Sequence, residues 1–184
     1  MLRTNVQAIE AAVHRPMSPL FQTSATAHAA DMTSAENPVD QPLLPTHDLT
    51  VVVPRQWVTR RAPERGIAVT ARARTVPASG FPPGLVLQTA PRADDPVETL
   101  RSQLTDLEVE DSDAFDLEGR PVTYLRFSHR VGVSDVMCEQ WRWVVDGAAV
   151  TLTASMARDD YADYCDVFEE VAASVEFRPV RRAA

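Results

Sequence analysis

Nucleophilic catalysis needs a thiol or hydroxyl held beside a base, so the cysteines and histidines of this chain come first. There are two cysteines, Cys138 and Cys165, and four histidines. His14, His28 and His47 fall in a proline-broken N-terminal stretch where nothing fixes their direction. His129 stands near Asp135 and Cys138, but the strand and loop pattern between them gives no reason for the three to converge. Metal chemistry has no better footing. Neither a C-x-x-C pair nor a His-x-x-x-His pair occurs. The acidic run Glu108-Val109-Glu110-Asp111-Ser112-Asp113 lacks the glycine and closing glutamate of a calcium loop, and it reads as a solvated stretch. Six glycines in the whole chain leave little material for a phosphate-cradling loop. The expectation is no enzyme, no metal and no cofactor.

Binding chemistry is better represented. Trp141 and Trp143 are two apart on a predicted strand and project from one face, in line with Met137 and Val145. Such a stripe is either an aromatic platform for an apolar segment or acyl chain, or a core face beneath a helix. The core face is the commoner role. Arg126, Arg130 and Arg142 could lie on neighbouring strands and form a basic patch that receives a carboxylate. The plainer reading pairs them with local Asp and Glu. These five residues, Arg126, Arg130, Trp141, Arg142 and Trp143, are the expected partner-binding set. Cys138 and Cys165 are expected as buried thiols with no disulfide.

The elements that must position these groups follow from periodicity. Leu49-Thr50-Val51-Val52-Val53 is a β-branched strand stopped by Pro54. Residues 67–74 alternate apolar and polar side chains, as a half-exposed strand does. Phe81-Pro82-Pro83-Gly84 turns the chain into a strand over 85–89. Asp95 as N-cap, Pro96 at the first helical position and Glu98 in the capping box start a helix. Its apolar face is Val97, Leu100, Leu104 and Leu107. A meander then runs through strands at 114–117, 122–127, 136–145 and 150–156, with turns at Glu118-Gly119, Gly132 and Asp146-Gly147. Asp-Gly between two apolar strands is a strong hairpin signal, because both residues tolerate positive φ. The last helix spans about 159–175, with Tyr161, Tyr164, Cys165, Phe168, Val171, Ala172 and Val175 on one face. Glu176-Phe177-Arg178-Pro179 is a final extended step.

These elements occupy 47–179 of the 184 residues, which suits one domain. Residues 1–46 read as a disordered tail broken by Pro16, Pro19, Pro38, Pro42 and Pro45, with Met32 as an alternative start, and 180–184 as a short basic tail. The net charge of −8 argues against nucleic acid and anionic membranes as general partners. Apolar runs are too short for direct membrane insertion, and the N-terminus lacks a continuous secretory apolar core, so a cytoplasmic location is expected. Every basic residue is Arg, which suggests a gene from a high-GC, actinobacterial source.

Three stretches carry a family resemblance. They are Val51-Val52-Val53-Pro54-x-x-Trp57, Pro82-Pro83-Gly84-Leu85-Val86-Leu87, and the closing run from Leu152-Thr153-Ala154 through Tyr161, Tyr164, Phe168 and Val171 to Ser174-Val175-x-Phe177. In these, and in the order of elements over about 49–178, the chain resembles the PsbP-like superfamily, which includes DcrB-like and LpqN/LpqT proteins. The resemblance implies an α+β fold, an antiparallel β-sheet flanked by helices as an α/β/α sandwich. LpqN-type members carry a lipid-attachment cysteine that is absent here. Members of the superfamily are mostly non-enzymatic: they assist photosystem assembly, bind a small GTPase or chaperone secreted effectors. The implied function is a chaperone or adaptor in a secretion or cell-envelope pathway, with a secreted or membrane protein as partner. The alternative is a carrier of a small apolar or acyl ligand.

Overall fold

In a computed structural model of the chain, residues 47–91 and 95–179 are described. Within them the dominant element is a seven-stranded antiparallel sheet. Its strands are β2 (Trp57–Ala62), β3 (Ile67–Ala73), β4 (Gly84–Pro91), β5 (Glu108–Leu117), β6 (Arg120–Val131), β7 (Ser134–Val145) and β8 (Ala148–Ala157). In space they run β2-β3-β4-β8-β7-β6-β5, so β2 and β5 are the two edges. A separate two-stranded sheet pairs β1 (His47–Thr50) with β9 (Glu176–Pro179). The helices are α1 (Pro96–Arg101) and α2 (Tyr161–Ala173), and short 3-10 turns precede β3 and α2.

Alternation along the strands sorts side chains onto two faces. On one face Val150, Leu152, Ala154 and Met156 of β8 lie beside Met137, Trp141 and Trp143 of β7. Helix α2 closes this face with Phe168, Val171 and Ala172, and Phe168 is fully buried. Its ring meets Trp57 edge-on at 5.7 Å, which ties β2 to the helix. Fully burying side chains of this size stabilises by about 1.5–3 kcal/mol each, so packing rather than helix propensity holds α2 in place. On the back face Phe81 and Leu100 pack on Leu125, Phe127, Val136, Cys138 and Ala157. Beside that cluster runs a buried polar row in which the Gln140 amide donates to Thr153 Oγ1 at 3.0 Å.

Local chemistry explains the junctions. Asp95 caps α1, accepting from the backbone of Val97 at 2.8 Å and of Glu98 at 3.1 Å. Both Asp146 and Gly147 have positive φ, as the hairpin between β7 and β8 requires. Gly66 sits at φ +70, and a Cβ there would come within 2.8 Å of the Thr89 carbonyl, so the turn into β3 excludes a side chain.

The structure corrects several expectations. The architecture is α+β, but one face carries a 13-residue helix and the other a helix of only six residues, which is not a balanced sandwich. Helix α1 stops at Arg101 because the chain turns back on itself, and Asp106 at φ 54 completes the reversal. Leu104 and Leu107 still pack on the back-face core, so their spacing reflects packing beyond the helix. The first strand is shorter than expected and pairs with the C-terminal strand, outside the main sheet. Strand β2 has no counterpart among the expected elements, since only Trp57 is buried there and no alternation marks it. The acidic run Glu108–Asp113 lies within an edge strand, where pairing with β6 overrides its poor strand propensity. The expected tails at 1–46 and 180–184 lie outside the described residues.

Candidate functional site

Among the described residues the buried carboxylate is Glu139 of β7, 4% exposed on the core-facing side between Met137 and Trp141. Its Oε1 accepts from the Tyr124 hydroxyl at 2.6 Å and from the Tyr161 hydroxyl at 3.2 Å. Oε2 is buried and has no hydrogen-bond partner among the described residues. Tyr124 comes from β6, in register opposite Trp141, and Tyr161 opens α2. Burial pushes the Glu139 carboxyl above its usual range, opposed by the two tyrosine hydrogen bonds and the Arg126 charge. Burial and the bond to Glu139 also push the Tyr124 phenol up.

Arg126 extends this network outward. It donates to the Tyr161 hydroxyl at 3.1 Å and lies over that ring at 5.6 Å. It also stands 3.8 Å from Glu110 and 3.7 Å from Asp111. Arg158 completes the cluster, reaching Glu110 at 2.5 Å and Asp135 at 2.8 Å. Partly exposed pairs like these stabilise by about 0–1 kcal/mol each, so their effect is to align the start of α2 with β5 rather than to hold the fold. The carboxyl–tyrosine–arginine chain can retain a proton on Glu139, and its outer members Tyr161 and Arg126 are half-buried.

The expected site residues are dispersed. Trp141 and Trp143 are each 2% exposed beneath α2 and Phe177, so they are core and offer no surface to a partner. Arg126 and Arg142 stand on opposite faces of the sheet, since Arg126 is in register with Glu139 and Arg142 with Thr123. Arg130 is exposed at the far end of β6 opposite Asp135. The three arginines therefore make no common patch. Cys138 is buried on the back face, while Cys165, expected as a buried thiol, is only half-buried on α2 across the sheet; both are free thiols. His129 and Cys138 do share the back face, one diagonal step apart at roughly 7–8 Å. Burial raises the Cys138 thiol well above its ordinary value, which suppresses the thiolate, and Asp135 is on the other face with Arg158. No relay of nucleophile, base and carboxylate is assembled among these three.

What lies open is the outer edge of β5. Glu108 to Asp116 are all exposed, including Val109 at 37% and Phe115 at 38%. A bulge interrupts the register between Val109 and Asp111, and from Ser112 to Leu117 the strand pairs regularly with β6. Beside this regular part lies an open depression of about 410 Å3, lined by Ala114, Phe115, Asp116, Thr123, Arg142 and Val144 among others. Val144 is 54% exposed at its rim. Of the expected residues only Arg142 lines it. Phe115 and Val144 carry no signal in the sequence, because single exposed apolar residues are ordinary. Glu139 was legible in principle, as a charge at a core-facing step between Met137 and Trp141.

Among the described residues no group of three or more His, Cys, Asp or Glu side chains could hold a metal ion. No helix among them is long and apolar enough to cross a membrane. No family model matches the sequence, and no curated protein matches it. Solved structures do match. LpqN of Mycobacterium tuberculosis, described as involved in cell envelope biogenesis, aligns with TM-score 0.54 at 17% identity over 71% of this chain and 83% of that one. PA94 of Pseudomonas aeruginosa aligns with TM-score 0.52 at 10% identity over 72% of this chain and 99% of that one. A point mutant of Mog1 aligns with TM-score 0.50 at 10% identity over 72% and 92%. At these identities the likeness is one of fold, and the fold of this chain is the Mog1/PsbP-like α+β fold.

Proposed function

We propose that this protein is a non-catalytic binding module that takes an extended segment of a protein partner along the outer edge of β5. The observation that carries the reading is the edge itself: a regular strand from Ser112 to Leu117, exposed, with Phe115 on its α2-side face and an open depression beside Arg142 and Val144 on the other. An extended peptide can add to such an edge through its backbone hydrogen bonds, with side-chain pockets supplying selectivity. The bulge and the carboxylates at Glu108, Glu110 and Asp111 guard the other half of the strand against indiscriminate pairing. An adaptor or chaperone role in a secretion or cell-envelope pathway accords with this surface and with the fold likeness to LpqN, and its partner would be a secreted or membrane protein. The carrier alternative draws no support from Trp141 and Trp143, whose face is filled by α2.

The test is affinity purification from the native host with wild-type protein and the Phe115→Arg variant. Wild type should recover one dominant partner in near-equal amount, and Phe115→Arg should lose it by about 10-fold or more, as removal of an apolar anchor does. An identical partner set for both proteins would remove β5 as the docking edge.

A further inference from the structure

The two edges of the main sheet carry opposite charge. Residues 55–74, covering β2 and β3, hold Arg55, Arg60, Arg61, Arg65, Arg72 and Arg74 against Glu64 alone, so six cations less one anion leave +5. Residues 106–118, covering β5, hold seven carboxylates and no cation, a net of −7. Six inter-strand steps separate β2 from β5, about 29 Å at the usual strand spacing. That exceeds the roughly 8 Å screening length at physiological salt, so each edge presents its own field.

The edges differ in how their charge is met. On the acidic side Glu110 and Asp111 are answered within the molecule by Arg126 and Arg158. On the basic side no ion pair joins Arg60, Arg61, Arg65, Arg72 or Arg74 to any carboxylate among the described residues. Arg60 and Arg61 are exposed on the edge strand. Val58, 43% exposed, stands opposite Arg72 in the β2–β3 register. An acidic protein has thus kept a run of guanidinium groups on one edge, unmet by the described carboxylates and set around an exposed apolar side chain.

We infer that the β2–β3 edge is a second docking surface, separate from the β5 edge, and that its occupant is an acidic, extended protein segment. Guanidinium forks favour carboxylates because two parallel N–H donors match two oxygens. Charge complementarity also accounts for the lack of partners among the described residues. A second copy of this chain is a weaker occupant, because two carboxylates of its own acidic edge, Glu110 and Asp111, are already engaged by Arg126 and Arg158, and edge-to-edge stacking of copies would be open-ended.

The experiment uses the full chain and a fluorescein-labelled peptide of alternating Thr and Glu, about ten residues long. Anisotropy is measured at about 50 and about 200 mM NaCl, with a Thr-Gln peptide as the neutral control. The Thr-Glu peptide should bind at least ~10-fold more tightly than Thr-Gln and weaken several-fold at the higher salt. Arg60→Glu with Arg61→Glu should lose at least ~10-fold, and the milder Arg60→Gln with Arg61→Gln a smaller factor. Arg101→Glu, an exposed charge change on α1, should stay within about 2-fold. Equal binding of the two peptides, or an equal loss in Arg101→Glu, would overturn the inference. So would binding of phosphatidylglycerol-containing vesicles without the peptide, which would assign the edge to a membrane. A salt-sensitive oligomer abolished by the Arg60 and Arg61 changes would overturn it in favour of a second copy. Because the probe needs no native partner, the outcome is independent of whether Phe115→Arg loses its partner.

Discussion

Glu139 sets a titration into the middle of the fold. Its carboxyl is raised chiefly by burial, so the folded state binds its proton more tightly than the unfolded chain, where the ordinary value is 4.5. Where the folded state holds more protons, stability falls as pH rises. The contribution of this group is therefore fully present below pH 4.5 and is lost as pH climbs through the raised value. Gln at this position keeps an oxygen to accept from Tyr124 and removes the charge. Glu139→Gln should match wild type near pH 4 and exceed it at pH 8, flattening the pH dependence read by urea midpoints. A parallel pair of pH profiles would show that the carboxyl is solvated in solution. The same residue separates two explanations of the surrounding tyrosines. If Tyr124 and Tyr161 served only packing, Phe at either position would leave the Glu139 titration unmoved.

At the level of elements, α1 is held by a cap rather than by length, since six residues cannot sustain a helix alone. Asp95→Ala removes the acceptor for two backbone amides and should lower stability by about 1 kcal/mol, read as a shifted urea midpoint with unchanged slope. No change would mean that Leu100 packing alone positions the turn. This helix start was legible because Asp-Pro-x-Glu is a local signal. The β7–β8 hairpin was legible for the same reason, and so was α2, whose apolar positions recur at helical spacing. Strand β2 was not legible, and of β5 only the stretch 114–117 was. Edge strands bury one side chain or none, so the alternation that marks a strand is missing, and only pairing across the sheet makes them strands. The candidate site suffered from the same cause. It lies on an exposed edge where Val144 comes beside β5 only once β5 and β7 are placed two strands apart, while Phe115 points to the opposite, α2-side face against Tyr124. Arg126 and Arg142 were grouped by neighbouring strands, but strand parity, fixed by the β6–β7 register, sends them to opposite faces.

The described part of the chain is closed by its first and last strands. Strand β1 leads into the sheet and β9 follows α2, yet the two pair in register from His47 with Pro179 to Thr50 with Glu176. Phe177 of β9 covers Trp143 at 5.7 Å, and Arg120 lies over the Phe177 ring at 5.2 Å while donating to the Val175 and Ala173 carbonyls. The β1–β9 contacts join residues far apart in sequence, as the Thr50–Glu176 hydrogen bond does at a separation of 126. Closing such a loop costs conformational entropy that local hairpins do not incur, so the pair should be among the first elements to open. Phe177→Ala isolates that step, because it removes the ring that links the small sheet to Trp143 while leaving the seven-stranded sheet's own pairing intact. Hydrogen exchange should then accelerate at 47–50 and 176–179, with β4, β7 and β8 remaining protected, and tryptophan emission should shift to the red as Trp143 meets water. Uniform acceleration across all strands would show instead that the terminal pair and the main sheet unfold as one cooperative unit.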